Sequence, residues 1–101
     1  MPAYILFIRE GAVKDPAKFM DYQMAMQANG PKVKMNPLIV YGAQTQLEGA
    51  PADGVVLLQF DTIDDAKAWY HSPEYQAAAQ HRFKAADYRA VIIEGFTMPG
   101  Q

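Results

Sequence analysis

The chain has 101 residues, 50% apolar, 20% charged and 12% aromatic, which fits one domain spanning 1–101 with a single small core. Nine Lys and Arg against eleven Asp and Glu leave a formal charge of −2 with no basic run, so nothing tracks a nucleic-acid backbone. The lack of cysteine excludes a thiol nucleophile, a disulfide framework and a thiolate metal site, and the apolar run at 4–8 is too short for a membrane span and lacks signal-peptide flanks, so we read a soluble cytoplasmic protein.

Residues 3–10, rich in β-branched and aromatic types and closed by Gly11, predict a first strand with apolar groups on both faces. Asp15-Pro16 then combines an N-cap acceptor with a proline at the first helical position. The helix it opens carries Phe19, Tyr22 and Met26 on one side and is expected to end near residue 28, with Asn29-Gly30-Pro31 as its stop. After a connection over 31–36, a second strand is expected from Leu38 through Leu47, with Gly42 as a bulge, lying at an exposed edge. A turn over 48–54 leads into Val55-Val56-Leu57-Leu58-Gln59-Phe60, whose unbroken apolar run marks a central strand. Thr62-Ile63-Asp64-Asp65 resembles a capping box, opening a short helix with Ile63, Ala66, Trp69 and Tyr70 inward. Ser72-Pro73 caps a third helix, where Tyr75, Ala78, Ala79, Arg82, Phe83 and Ala86 form the inward stripe. A last strand is expected over 88–96, followed by a Met-Pro-Gly-Gln tail.

The order strand, helix, strand, strand, helix pair, strand is the split βαβ pattern of a ferredoxin-like α+β sandwich, a four-stranded antiparallel sheet with helices on one face. Strands one, three and four are nevertheless apolar on both sides, where an antiparallel sheet with one wet face should alternate. Leaving about ten large side chains wet, at roughly 1.5 kcal/mol each, would forfeit on the order of 15 kcal/mol, comparable to a domain's whole stability. The expectation is a homodimer packed sheet to sheet.

Asp15-Pro16 with Phe19 and Tyr22, Val40-Tyr41-Gly42, Leu47-Glu48-Gly49, Ala66-Lys67-Ala68-Trp69-Tyr70, Ser72-Pro73-Glu74-Tyr75, Arg82, Ala86-Asp87 and Glu94-Gly95 together resemble the uncharacterised family numbered 1330 among the domains of unknown function. The resemblance implies a dimeric α/β barrel, a superfamily that also holds cofactor-free monooxygenases and muconolactone isomerases, and its functions do not transfer with the fold. Many members carry paired glycines and an arginine where this chain has Gly42-Ala43-Gln44, and the link from Tyr22 to Pro37 is longer here.

Arg82 is the first candidate for chemistry, because the stripe turns it inward, where a guanidinium needs an acceptor such as a ligand carboxylate; the alternatives are pairing with Asp87, Glu74 or Glu94, or snorkelling outward. Glu94 and Gln59, late in their strands, are expected beside Tyr4 or Ile5 as a polar row in which a desolvated carboxylate acts as a base. His71 and His81 lie ten apart, which is no zinc spacing, so no metal is expected and either is a proton-transfer candidate or a surface imidazole. Tyr41, Tyr75 and Tyr88 can offer hydroxyls to a bound ring, and Met20, Met24, Met26 and Met35 can line an apolar cavity. No phosphate loop, nucleophile elbow or His-Glu-x-x-His helix occurs, and no cofactor is expected. Three readings remain: a binder of a small apolar or aromatic carboxylate in a pocket between sheet and helices, a cofactor-free enzyme of monooxygenase or isomerase type using Glu94 or a histidine, and a structural or accessory dimer without ligand.

Overall fold

The computed structural model describes residues 1–29 and 33–96. The elements run β1 (Ala3–Glu10), α1 (Pro16–Asn29), β2 (Asn36–Val40), β3 (Gly54–Phe60), α2 (Ile63–Tyr70), α3 (Pro73–Ala85) and β4 (Asp87–Glu94). The strands form one antiparallel sheet in the order β2-β3-β1-β4. This is the α+β, ferredoxin-like arrangement expected from the element order.

Local chemistry sets the helix starts. Asp15 Oδ1 accepts the Lys18 N–H at 3.2 Å ahead of α1. Thr62 Oγ1 accepts from Asp65 N at 3.1 Å, and Ser72 Oγ accepts from Tyr75 N at 3.2 Å, so α2 and α3 each begin with a side-chain cap. Lys14 N and Asp15 N donate to the Ala85 carbonyl at 2.7 and 3.2 Å, which satisfies the end of α3 with the chain leading into α1. The predicted Gly30-Pro31 stop and the tail after Phe96 lie outside the described residues.

Alternation along β1 buries Ala3, Ile5 and Phe7 toward the helices. Their partners Phe60, Leu58 and Val56 on β3 share that side. With Ala66, Trp69, Tyr75 and Ala79 they make the core, and Trp69 links the layers through contacts with Phe60 at 5.7 Å and Tyr75 at 4.1 Å between ring centroids. Tyr4, Leu6 and Ile8 point to the opposite side, in register with Gln59, Leu57 and Val55 on β3 and with Ile93, Val91 and Arg89 on β4. That open face is apolar over most of its area, and Val91 and Ile93 are exposed on it.

Three sequence expectations are corrected. The second strand stops at Val40 and does not run to Leu47, because Tyr41 adopts φ 53° and turns the chain out of the sheet. The strand's irregularity falls between Pro37 and Ile39 and not at Gly42, at a proline that has no N–H to give the ladder. Phe83, expected inward, is 51% exposed, while Ala85 is buried; at an offset of eight from Tyr75 the phenylalanine falls on the edge of the stripe.

Candidate functional site

The helix α1 packs along α3 and stands off the strands, so the half of the sheet made by β2 and β3 is roofed at a distance. No α1 residue with a described side chain is fully buried; Phe19, Tyr22 and Met26, the side expected inward, are half-buried. The gap beneath them is a pocket of about 500 Å³. Its roof is Phe19, Tyr22 and Met26, its floor Phe7, Val56 and Leu58, and its polar end Arg82, Tyr41 and Tyr88.

Arg82 is 4% exposed. Its Cζ lies 5.0 Å from the ring centroids of Phe83 and Tyr88, 5.1 Å from Phe7 and 6.0 Å from Tyr22. Ring faces attract the cation but accept no in-plane N–H, and Nε is buried without a hydrogen-bond partner. Asp87, one of the expected counter-ions, is bound instead by Lys14 at 2.7 Å, and the low exposure rules out snorkelling. The ion pairs Lys14–Asp87, Lys34–Asp61 and Arg89–Glu10 do not include Arg82.

Around this cation stand two pairs of phenols. Tyr22 and Tyr75 hydroxyls lie 3.1 Å apart, and those of Tyr41 and Tyr88 2.6 Å apart. Burial pushes Tyr22, Tyr41 and Tyr75 above the ordinary tyrosine range, with Tyr75 reinforcing the shift at Tyr22 and the Tyr88 hydrogen bond reinforcing it at Tyr41. These hydroxyls are therefore neutral at physiological pH and supply no counter-charge to Arg82.

The structure brings together only part of the candidate set. Arg82, Tyr41 and Tyr88 meet at the pocket, with Met26 and Met35 in its lining, while Met20 and Met24 are exposed on the outer side of α1. Tyr75 meets the site through its hydroxyl and ring contacts with Tyr22 and through a side-chain hydrogen bond with Arg82. Gln59 does stand opposite Tyr4, but on the open sheet face, where Gln59 Nε2 reaches the Tyr4 hydroxyl at 3.5 Å and Asn36 Nδ2 donates to Gln59 Oε1 at 3.3 Å. Glu94 pairs with Ala3, one position from Tyr4, so alternation puts it on the other side, and it is exposed. The expected row of Glu94, Gln59 and Tyr4 is replaced by Asn36, Gln59 and Tyr4, and Glu94 lacks the burial its role as a base requires. His81 does not line the pocket, and His71 is the C-cap of α2. Among the described residues no group of three His, Asp or Glu is placed to hold a metal ion. No helix among them is long and apolar enough to cross a membrane.

Sequence reasoning placed Arg82 here through its helical stripe. It passed over Tyr22 as a polar site residue, and the signal available was a tyrosine, with its hydroxyl needing a partner, on the inward side of α1.

The sequence matches the family described as Domain of unknown function (DUF1330) over residues 2–96. No curated protein matches it closely enough to count as a relative. Among solved structures it is similar to a protein of unknown function from Rhodopseudomonas palustris, with a TM-score of 0.65 at 15% identity over 96% of this chain and 84% of that one. A dimeric ferredoxin-like protein of unknown function from Thermobifida fusca gives 0.58 at 18% identity, covering 91% and 88%. A dimeric protein of unknown function with a ferredoxin-like fold from Bacteroides fragilis gives 0.56 at 16%, covering 93% and 96%. Likeness at these identities establishes the fold.

Proposed function

The chain belongs to the DUF1330 family of domains of unknown function, a membership that names no activity, and from the site itself we propose that the protein binds a small apolar or aromatic monocarboxylate between α1 and the sheet, with the acid group on Arg82. The observation that carries this reading is a guanidinium 4% exposed whose Nε has no acceptor, at the end of a mainly apolar pocket that Gln23 and Gln27 also line. A buried cation left unpaired costs several kcal/mol, and a ligand oxyanion removes that cost while the ring or chain behind it covers Phe7, Val56 and Leu58. One positive charge with neutral phenols around it matches one negative charge, so a monoanion fits better than a phosphate dianion.

The same proposal includes a homodimer closed through the open sheet faces. No helix among the described residues covers the apolar side chains of β1, β3 and β4 on that side, and two structurally similar proteins are described as dimeric.

Thermal unfolding against benzoate, phenylacetate and naphthoate, each paired with its neutral amide, tests the binding reading. A ligand at a hundred times its Kd should add about 2.7 kcal/mol, and only the acids should do so. The acid preference should vanish in Arg82→Met. Equal shifts for acids and amides, or none across the panel, would reject the reading.

A further inference from the structure

Tyr41 has φ 53°, a left-handed conformation that an L side chain holds only when its surroundings fix it. Three contacts do so. Its N–H donates to the Val55 carbonyl at 2.9 Å. Its ring lies over Gly54, where a Cβ would sit 2.9 Å from Cδ1 and 3.0 Å from Cε1, so the missing side chain is the seat of the ring. The Arg9 guanidinium stands 5.8 Å from the ring centroid, itself held by the Asp53 and Gly11 carbonyls at 2.7 and 3.1 Å.

The consequence is a bridge across the sheet. Tyr41 follows β2 at one edge and Tyr88 sits on β4 at the other, yet their hydroxyls meet at 2.6 Å on the helix side. The Tyr88 ring is 5.0 Å from the Arg82 carbon, so the bridge ends beside the buried cation, and both rings line the pocket. Two hydroxyls that bond each other share one hydrogen and leave the second free to donate. The polar end of the pocket therefore offers two donors, that O–H and the unpaired Arg82 Nε–H.

Resting on the binding reading above, we infer that the Tyr41–Tyr88 hydroxyl pair is the second anchor of the ligand's acid group: Arg82 takes one carboxylate oxygen and the unshared hydroxyl hydrogen takes the other. The pair thereby selects planar two-oxygen acids over neutral compounds of the same shape. A tyrosine hydroxyl is protonated at neutral pH and is thus a donor.

The test is calorimetric titration of benzoate and benzamide into the wild type, Tyr41→Phe, Tyr88→Phe and the double variant, with thermal unfolding of each protein alongside. Either single variant keeps one hydroxyl hydrogen for the ligand, so benzoate affinity should change by no more than about threefold. The double variant keeps both rings but no hydroxyl, and benzoate affinity should fall about tenfold while benzamide binding stays as it was. Should the double variant prove too unstable to titrate, tyrosine difference absorption on adding benzoate to the wild type serves instead; the perturbation should appear with benzoate, be smaller in each single variant, and be absent with benzamide. Equal losses for acid and amide would reduce the bridge to a pocket wall, and unchanged benzoate binding in the double variant would remove it as an anchor while leaving Arg82 in place. A wild type that binds no aromatic acid would overturn the binding reading itself.

Discussion

Arg82 is surrounded by ring faces and approached by the Tyr75 hydroxyl, while its Nε is left without a hydrogen-bond partner, and on the proposed reading that arrangement sets opposite demands on stability and on binding. Contacts with aromatic faces recover roughly 0.5 to 2 kcal/mol each, less than the several kcal/mol of desolvating a guanidinium with an unpaired N–H. Arg82→Met, which keeps most of the volume, is therefore expected to leave the ligand-free protein as stable as the wild type or about 1 kcal/mol more stable. Chemical denaturation measures this, and a loss above about 2 kcal/mol would mean that the charge is already satisfied within the protein. The phenols beside it predict the alkaline behaviour. Tyr22, Tyr41 and Tyr75 are raised above 10.0 by burial, so their contribution to stability is complete below pH 10 and is lost as the pH rises through their folded-state values, because the unfolded chain ionises first. Unfolding followed against pH should show stability falling from about pH 10 upward, with a weaker fall in Tyr22→Phe; an unchanged slope in that variant would remove Tyr22 from the account.

Each element places the site by a local rule, and the rules differ in how visible they were in the sequence. The start of α3 was legible: Ser72 before Pro73 signals a cap, and Ser72 Oγ both accepts from Tyr75 N and donates to the Trp69 carbonyl at 2.7 Å, joining the end of α2 to the helix that carries Arg82. Ser72→Ala should cost about 1 kcal/mol, lowering Tm by roughly 4–8 °C for a chain of this size; a scanning-calorimetry shift under 1 °C would show the cap to be dispensable. The bounds of β1 and the start of α1 were equally legible, since apolar alternation and Asp-Pro are local signals. The end of β2 was not. Gly42 reads equally as a bulge or a stop, residues 43–47 have no breaker that distinguishes a strand from an extended loop, and Tyr41 takes its left-handed turn because of Gly54 and Arg9, partners distant in sequence. The pocket was half legible for the same reason. Arg82 lies on a helical stripe that can be counted, but the Tyr41–Tyr88 contact joins two edges of a sheet, and Glu94 missed its expected row by one residue of register, which reverses the side a strand residue faces.

At the scale of the whole molecule the sheet presents one face to helices and a second, largely apolar face to whatever covers it. Leu57 lies near the middle of that second face, between Leu6 on β1 and Ile39 on β2. Sedimentation at micromolar concentration should give a particle of twice the 11.2 kDa chain mass, and Leu57→Lys should convert it to a folded monomer; a wild-type monomer would remove the pairing of sheets from the proposal. On the proposed reading the asymmetry of the sheet also separates two tasks, the open face for assembly and the helix-covered face for a pocket in which Arg82 Nε has no acceptor among the described residues. The most direct measurement of that assignment is a crystal structure of the protein with 1-naphthoate. The account predicts the carboxylate within about 3 Å of Arg82 Nε and the rings between Phe19 and Val56. A naphthoate seated between the open sheet faces, or an Arg82 Nε already bonded to a carboxylate of the chain, would contradict it.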